Sequence, residues 1–260
     1  MRKSPLETFI SQSLHVQEKK EEGKKFCLVT FLLSLLCILI FLGTVFTTQA
    51  NGLSPFERYL LFDDLGKPPL WGGIFSYFSP HDPALVPQAS LLFEAIRHGQ
   101  LWRLVTPILL HANLIHIAFN LMWIIYLGSM IEPRLRGKQY LILIGTIAAI
   151  SNTAQYLIIG PAFLGISGVI CGLAGFISTR QRIAPWEAYP LPRQVYQFLI
   201  FWISLLIALS LLMFLLSFQG VNFALQFGNT AHVVGLLTGK IIGRFSFFSS
   251  AKRPAVIQFK

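Results

Sequence analysis

Charged side chains are scarce in this sequence: Asp, Glu, Lys and Arg make up only 12% of its 260 residues, whereas 54% are hydrophobic. With a mean hydropathy of +0.62, this balance excludes an ordinary soluble domain and is typical of a protein with several membrane spans. The three cysteines are odd in number and lie in long apolar runs, so no disulfide framework is predicted. Internal repeats and low-complexity tracts are also lacking, so a repeat array is not expected.

Five apolar runs, each about 20 residues long, are long enough to cross the hydrocarbon core of a bilayer as helices. They are Phe26–Thr48, His111–Ile131, Tyr140–Ile159, Gln197–Ser217 and Asn229–Phe248. A sixth run, Leu164–Ser178, is shorter and rich in glycine. The sequence therefore predicts an all-α membrane protein in which six transmembrane helices form a bundle.

The segment 49–110 separates the first two runs and is long, proline-bearing and aromatic. A loop of this length is usually ordered for a purpose. Its aromatic side chains favour the membrane interface, where amphipathic rings prefer to lie. We therefore predict a long external loop at the outer surface of the membrane.

Basic residues predict how the bundle is oriented. If the amino terminus is cytoplasmic, 17 of the 21 Lys and Arg residues fall in segments on the cytoplasmic side. Cytoplasmic loops carry such an excess, so both termini are predicted to be cytoplasmic, with tails at 1–25 and 249–260 around a membrane domain at 26–248. The net charge of +10 is then explained by an anionic inner leaflet, and no nucleic-acid partner is expected. The same pattern favours a bacterial inner membrane.

Polar side chains in three of the predicted spans fall at one depth, in the outer half of the membrane. The second span carries Asn113, His116 and Asn120 on one helical face, the fourth begins near Ser167, and the sixth carries His232 close to its start. Polar groups are costly in lipid, so these side chains are expected to face the bundle interior together.

Small residues give a second argument for bringing the fourth and sixth spans together. Stripes of small residues let two helices approach closely. On the fourth span Cys171, Ala174 and Ser178 follow Ser167, beside a row of Gly168, Gly172 and Gly175; on the sixth, Gly235, Gly239 and Gly243 follow His232. If the stripes pack as parallel helices, the Ser167 hydroxyl and a ring nitrogen of His232 come within hydrogen-bonding distance. This is the geometry of an activated nucleophile.

The chemistry predicted from these residues is acyl transfer by a serine. His232 can take the Ser167 proton and return it to a leaving amine. No Asp or Glu occurs inside any predicted span, so the site is expected to be a dyad without a carboxylate. The Ser167 N–H, the Asn120 amide and His116 are the available oxyanion donors.

Glycines at 165 and 168 flank the serine and are expected to let a substrate backbone come close to it. Other interpretations of the same residues stay open at this stage. A serine in an apolar helix often bonds to its own preceding turn, glycine stripes often serve packing alone, and an intramembrane His or Asn often joins two helices. The type of residue alone therefore does not show whether these side chains are catalytic or structural.

Two unrelated function classes are also open. A haem or metal protein would use His111, His116 and His232, but the first two lie five residues apart, about 140° around a helix, which is poor for joint ligation. Neither HExxH nor a carboxylate partner is present, so no metal and no cofactor is expected. A transporter would need paired intramembrane charges, which the predicted spans lack.

Three motifs in this order resemble the rhomboid intramembrane serine proteases, in particular the compact six-helix bacterial type. The stretch LWRLVTPILLHANLIHIAFNLMWIIYLG at 101–128 contains Trp-Arg and His-x-x-x-x-His-x-x-x-Asn. GISG at 165–168 is similar to the family's Gly-x-Ser-Gly, and AHVVGLLTG at 231–239 to its Ala-His-x-x-Gly-x-x-x-Gly. The resemblance covers roughly residues 50–245.

The resemblance implies a role for each residue that matches a motif. The nucleophile would be Ser167, the general base His232, and the oxyanion groups His116 and Asn120 with the Ser167 backbone. His111 would be structural or near the site, Trp102 and Arg103 would hold the external loop at the interface, and Gly165, Gly168, Gly235 and Gly239 are the motif glycines. Many members carry Tyr four residues after the serine, stacked on the histidine, where this chain has Cys171, and Pro107 stands where a His can occur. What orients His232 without that ring is not predicted.

The implied activity is cleavage of transmembrane segments of other membrane proteins near the outer face, through an acyl-enzyme. Substrates would be spans that unwind easily, and they would reach the site laterally between the second and fifth helices. The partners are thus transmembrane proteins and the bilayer. The alternative within the same family is a non-catalytic protein of rhomboid fold that binds client helices.

Overall fold

The computed structural model describes residues 26–48, 53–62, 93–219 and 227–249. Within these ranges every regular element is helical, in agreement with the predicted all-α class. The predicted amino-terminal tail, nearly all of the carboxy-terminal tail and the middle of the 49–110 loop lie outside the described residues.

Six long helices follow one another along the described chain. They are α1 (Leu28–Thr47), α2 (Leu114–Ile131), α3 (Gly137–Ile159), α4 (Ser167–Ile183), α5 (Arg193–Ser217) and α6 (Asn229–Ile242). Shorter helical segments cover Pro55–Leu60, Glu94–Arg97, Leu101–Leu104, Thr106–Leu109, Pro185–Glu187 and Ser246–Phe248. Four helices, α1, α2, α3 and α5, are long and apolar enough to cross a membrane. The other two have only 17 and 14 residues.

Some helix boundaries differ from the ends of the hydrophobic runs, and local backbone geometry and capping contribute to where the helices begin and end. The second run begins at His111, but α2 begins three residues later, since Asn113 caps it by accepting a hydrogen bond from the His116 N–H at 2.9 Å. At its far end α3 stops at Gly160, whose φ of +100° breaks the helical path. The sixth run extends to Phe248, whereas α6 already ends at Ile242.

Helix α4 forms the centre of the protein. Every residue from Gly168 to Ile177 is buried, although the helix is less apolar than its neighbours. It packs parallel to α6, as the glycine stripes predict: a Cβ on Gly235 would overlap the carbonyl of Gly168. One turn further, a Cβ on Gly239 would overlap the carbonyl of Gly172. The backbones are therefore in direct contact along two turns.

Polar contacts fix the end of the bundle opposite Ser167. Arg180, at the far end of α4, forms a buried ion pair with Glu187 and also donates to the Gly243 carbonyl at 3.1 Å. The Glu132 carboxylate, beyond the end of α2, accepts from the Val29 N–H at 2.7 Å and so caps α1. These contacts join α1 to α2 and α4 to α6.

Helix α5 is the least buried of the long helices. Only Leu199 and Ile203 of its 25 residues are buried. It meets α2 through aromatic rings, with Trp202 and Phe119 centred 5.6 Å apart and Phe198 stacked 6.1 Å from Trp123. Its packing is thus shallow compared with that of α4 and α6.

Candidate active site

Ser167 and His232 lie within hydrogen-bonding distance, with the serine Oγ 2.8 Å from Nε2 of the histidine. Ser167 is the first residue of α4, and His232 lies in the first turn of α6. The parallel packing of the two helices places both residues at the same end of the bundle. His232 is buried, whereas Ser167 is half-buried and therefore partly exposed at the surface of the described chain.

This contact leaves the other ring nitrogen of His232 without a partner. Nδ1 is buried and has no hydrogen bond to any residue that the structure describes. When the Ser167 hydroxyl donates to Nε2, the neutral ring carries its proton on Nδ1. The contact therefore has the geometry in which a histidine can activate a serine hydroxyl.

A sharp backbone turn sets the approach to Ser167. Gly165 has a φ of +110°, a conformation that L side chains rarely adopt, and its N–H donates to the Pro107 carbonyl at 3.0 Å. The turn leads into the first N–H groups of α4, which face outward with the positive end of the helix dipole. Ser167 thus stands at a position suited to a developing negative charge.

His116 and Asn120 of α2 converge on this turn. A Cβ built on Gly165 would lie 2.8 Å from Cε1 of His116 and 2.9 Å from its Nε2, so the ring edge touches the glycine backbone. Nδ2 of Asn120 would be 3.6 Å from the same point. This amide is buried and has no hydrogen-bond partner among the described residues, and is available to an oxygen atom placed beside Ser167.

One long contact favours a particular tautomer of His116. The Ala112 N–H faces Nδ1 of His116 at 3.5 Å. In the tautomer that this contact favours, Nδ1 accepts and the neutral ring carries its proton on Nε2, the atom next to Gly165. Two donors, His116 Nε2 and Asn120 Nδ2, thus flank the turn before the serine, an arrangement that can stabilise an oxyanion.

His111 is buried beside His116, with ring centroids 5.2 Å apart in an edge-on arrangement. Its Nδ1 lies 3.3 Å from the Leu109 carbonyl. Among the residues that the structure describes, no group of three His, Cys, Asp or Glu side chains is arranged to hold a metal ion. The contacts of His111 are those of a residue that supports His116.

Trp102 and Arg103 join the described parts of the 49–110 segment to one another. Arg103 is buried and donates to the carbonyls of Leu61 and Arg58, both at 2.8 Å. Trp102 stacks on Tyr59 with centroids 5.1 Å apart and donates to the Tyr59 carbonyl at 3.2 Å. Both residues therefore bind the short helix Pro55–Leu60 or the residue that follows it.

The glycines of the second and third motifs have different surroundings. Gly168 is buried, and a Cβ there would lie 3.1 Å from the Ser151 hydroxyl and 3.2 Å from the Ala231 carbonyl. Gly235 and Gly239 contact the α4 backbone. These three glycines set the spacing of α4, α6 and α3, whereas Gly165 alone borders the open side of the serine.

Two polar contacts at the start of α6 were missing from the sequence-based prediction. Oε1 of Gln155, buried on α3, accepts from the Ala231 N–H at 3.0 Å. Nδ2 of Asn229 lies 2.6 Å from the Ser210 hydroxyl on α5. The sequence does contain signals for both contacts: Gln155 interrupts an apolar run, and Asn229 lies one turn before His232. Neither signal identifies the residue that it contacts.

A family model and several relatives match this chain. The Rhomboid domain model matches residues 98–248, more than half of the chain. The Rhomboid protease GlpG of Yersinia pestis (strain Pestoides F) is 32% identical over 171 residues, which are 66% of this chain and 57% of the relative, so the chain spans a little over half of that protein's length. The Rhomboid protease GlpG of Haemophilus influenzae is 29% identical over 223 residues, 86% of this chain and 91% of the relative. The chain belongs to the rhomboid family.

Proposed function

We propose that this protein is an intramembrane serine endopeptidase that cleaves transmembrane segments of other membrane proteins. The observation that carries the proposal is the 2.8 Å contact between Ser167 Oγ and His232 Nε2. Its Yersinia and Haemophilus relatives are named rhomboid proteases, which supports the same activity.

The reaction starts with proton transfer from Ser167 to His232. As the serine Oγ attacks the scissile carbonyl carbon, His232 Nε2 takes the hydroxyl proton. The tetrahedral intermediate collapses when His232 returns that proton to the leaving amine, and an acyl-enzyme ester remains on Ser167. A water molecule, deprotonated by His232, then attacks the ester, and His232 returns this proton to the departing Ser167 Oγ as the new carboxyl terminus is released.

The negative oxygen of the tetrahedral intermediate would be stabilised from three directions. His116 Nε2 and Asn120 Nδ2 flank the Gly165 turn, and the Ser167 N–H adds a backbone donor at the start of α4. Gly165 gives a substrate backbone space beside the nucleophile. We assign His116 and Asn120 to the oxyanion site because they supply N–H groups where charge develops.

The membrane arrangement that fits this chemistry has six helices, with α4 and α6 as short central spans beside the four longer ones. The excess of basic residues supports cytoplasmic termini on a membrane domain at 26–248, a long external loop at 49–110, and a bacterial inner membrane. Ser167 would then lie in the outer half of the bilayer, where external water can reach it. Neither a nucleic acid nor a cofactor takes part in this reaction.

Substrates would be transmembrane helices that unwind readily. A regular helix ties up its carbonyls and shields them with side chains, so Gly, Pro or small polar residues near the scissile bond favour cleavage. The shallow packing of α5 against α2 supports lateral access between these two helices. The substrate helix would come from the lipid and water from outside.

A cleavage assay tests this function. The wild type, Ser167→Ala and His232→Ala are reconstituted in liposomes with a labelled transmembrane substrate, and Ser178→Ala is the matched control. Ser178 lies on the same helix but bonds to the Gly175 carbonyl at 3.0 Å, away from the site. We expect the wild type and Ser178→Ala to cleave, both dyad variants to fall by at least about 10³-fold, and a fluorophosphonate to label Ser167 in the wild type. A folded wild type that neither cleaves the substrate nor is labelled at Ser167 would overturn the proposed protease function. It would favour a protein that only binds client helices.

A further inference from the structure

The first turn of α6 is tied to α5 by a side-chain hydrogen bond. Nδ2 of Asn229 lies 2.6 Å from the Ser210 hydroxyl and 3.5 Å from the Leu206 carbonyl. Because a hydroxyl can donate or accept whereas a backbone carbonyl can only accept, the long contact to Leu206 favours the orientation in which the Asn229 nitrogen faces α5. The Asn229 amide therefore donates to α5, three residues before His232.

Two buried polar atoms on this turn have no partner among the described residues: Oδ1 of Asn229 and Nδ1 of His232. They are chemically complementary. When Ser167 donates to Nε2, Nδ1 of the neutral histidine carries a proton and needs an acceptor, which an amide oxygen provides. The two atoms form no hydrogen bond with each other here. Residues three apart on a helix lie on one side, with Cβ atoms about 5–6 Å apart, so they are near enough for a side-chain rotation or one bridging water to connect them.

The backbone of the same turn is fixed independently. Gln155 of α3 accepts from the Ala231 N–H at 3.0 Å, which satisfies one of the free donors at the start of α6. The peptide group next to His232 is thus held from α3, and the neighbouring Asn229 side chain from α5. With the backbone fixed, the remaining freedom is the rotation of the imidazole ring.

We propose that Asn229 is the positioning residue of His232, held by Ser210 through its nitrogen and accepting the Nδ1 proton of the histidine through its oxygen. The proposal rests on the proposed protease function. Asn229 touches neither the substrate nor Ser167 in this arrangement and acts through His232 alone. A neutral amide fixes the ring orientation and tautomer, as an aspartate does in a triad, but adds no negative charge. It takes the orienting role that the thiol of Cys171 does not supply.

The test compares turnover per active site among four variants. Asn229→Leu keeps the size of the side chain but removes both polar atoms, Asn229→Asp keeps an oxygen acceptor, and Ser210→Ala removes the anchor. Ser204→Ala is the matched control on α5, since that exposed hydroxyl bonds to its own helix at Ile200. Endpoint labelling of Ser167 with a fluorophosphonate counts the folded sites, so a loss of folded protein does not lower kcat per site.

We expect Asn229→Leu to lower kcat per labelled site by roughly tenfold to a hundredfold with little change in KM, because the loss is one of alignment. Asn229→Asp should recover most of this activity, Ser210→Ala should fall between, and Ser204→Ala should match the wild type. Wild-type kcat in Asn229→Leu, or an equal loss in Asn229→Asp, would overturn the proposal.

If Asn229→Leu yields too few labelled sites to measure, the comparison of kcat per site between Ser210→Ala and Ser204→Ala tests the proposal. A lower kcat per site in Ser210→Ala than in Ser204→Ala supports the positioning role, and equal values overturn it. A wild type that neither cleaves nor labels would overturn the protease function itself. An active wild type with unaffected variants overturns only the role of Asn229.

Discussion

Gly172 and Gly239 are in backbone contact where α4 meets α6: a Cβ built on Gly239 would overlap the carbonyl group of Gly172. Because rigid backbone fills this space, no side-chain rotation can make room for a methyl group. The separation of α4 and α6 therefore depends on glycine at both positions. The distance from Ser167 to His232 depends on the same separation.

Gly239→Ala is expected to force the two helices apart. Overpacking of this kind costs about 1–3 kcal/mol or more in free energy of unfolding, and it moves His232 away from Ser167, so cleavage should be lost as well. The measurements are denaturant unfolding in detergent micelles and the cleavage assay. Gly145→Ala on α3 is the control, because a Cβ there meets nothing within 4 Å. Equal destabilisation in both variants would contradict the prediction.

Gly165→Ala should reduce turnover more than stability. A methyl group there would lie 2.8 Å from the His116 ring, so the ring and the donor at its Nε2 must shift. If His116 is an oxyanion donor, as proposed, its displacement should lower kcat by roughly 10²-fold. Gly99→Ala separates this effect from backbone strain, since Gly99 also has a positive φ, +86°, but open space around its Cα. A similar fall in kcat per labelled site for both variants would show that strain alone is responsible.

Asn120→Ala removes the buried amide that has no partner among the described residues. If this amide binds the oxyanion, kcat should fall about 10²–10³-fold while KM stays nearly constant, because the interaction forms only as charge develops. Asn152→Ala is a matched control: its amide already donates to the Leu104 carbonyl at 3.0 Å. That variant should lose about 1 kcal/mol of stability but keep kcat per labelled site. A raised KM with an unchanged kcat in Asn120→Ala would instead indicate a role in substrate binding.

Much of the site could be predicted from the sequence because polar side chains in a membrane span are costly unless they face the protein interior. The helical spacing of His116 and Asn120 indicated one face, and the glycines after His232 indicated close packing against α4. The structure brings these residues to one end of the bundle around Ser167, while their catalytic roles stay a proposal. Helical periodicity was sufficient to group His116, Asn120 and His232 because all three side chains face the interior of the bundle.

Other features depend on partners that periodicity does not identify. Asn229 lies on the predicted sixth span, but nothing in its neighbourhood names Ser210 on another helix. The left-handed turn at Gly165 is a property of the loop before α4, where no repeat operates. The start of α2 is set by its cap Asn113 and lies three residues after the start of the hydrophobic run, whereas α6 ends at Ile242, before the end of its run at Phe248.

Arg180→Met should destabilise the fold without affecting the chemistry. It leaves the buried carboxylate of Glu187 without its cation, which costs about 3–5 kcal/mol for a buried pair. Arg182→Met is the control, since Arg182 is exposed on the same turn of α4. Unfolding in detergent measures the loss, and turnover per labelled site should stay at the wild-type value because Ser167 lies at the other end of the helix. A fall in turnover per site would mean that this end of α4 influences the dyad.

Trp202→Ala should speed the cleavage of transmembrane substrates. The Trp202 ring packs 5.6 Å from Phe119 and is one of the few contacts that hold the shallow helix α5 against α2. An aromatic pair of this kind contributes about 0.5–1.5 kcal/mol, so its removal should raise kcat/KM by about twofold to tenfold if α5 must move to admit a helix. Phe201→Ala is the control, because that ring is 61% exposed on the same helix. A short soluble peptide, which reaches Ser167 from the aqueous side, should be cleaved at an unchanged rate; equal acceleration of both substrates would mean that the substitution alters the dyad and not lateral access.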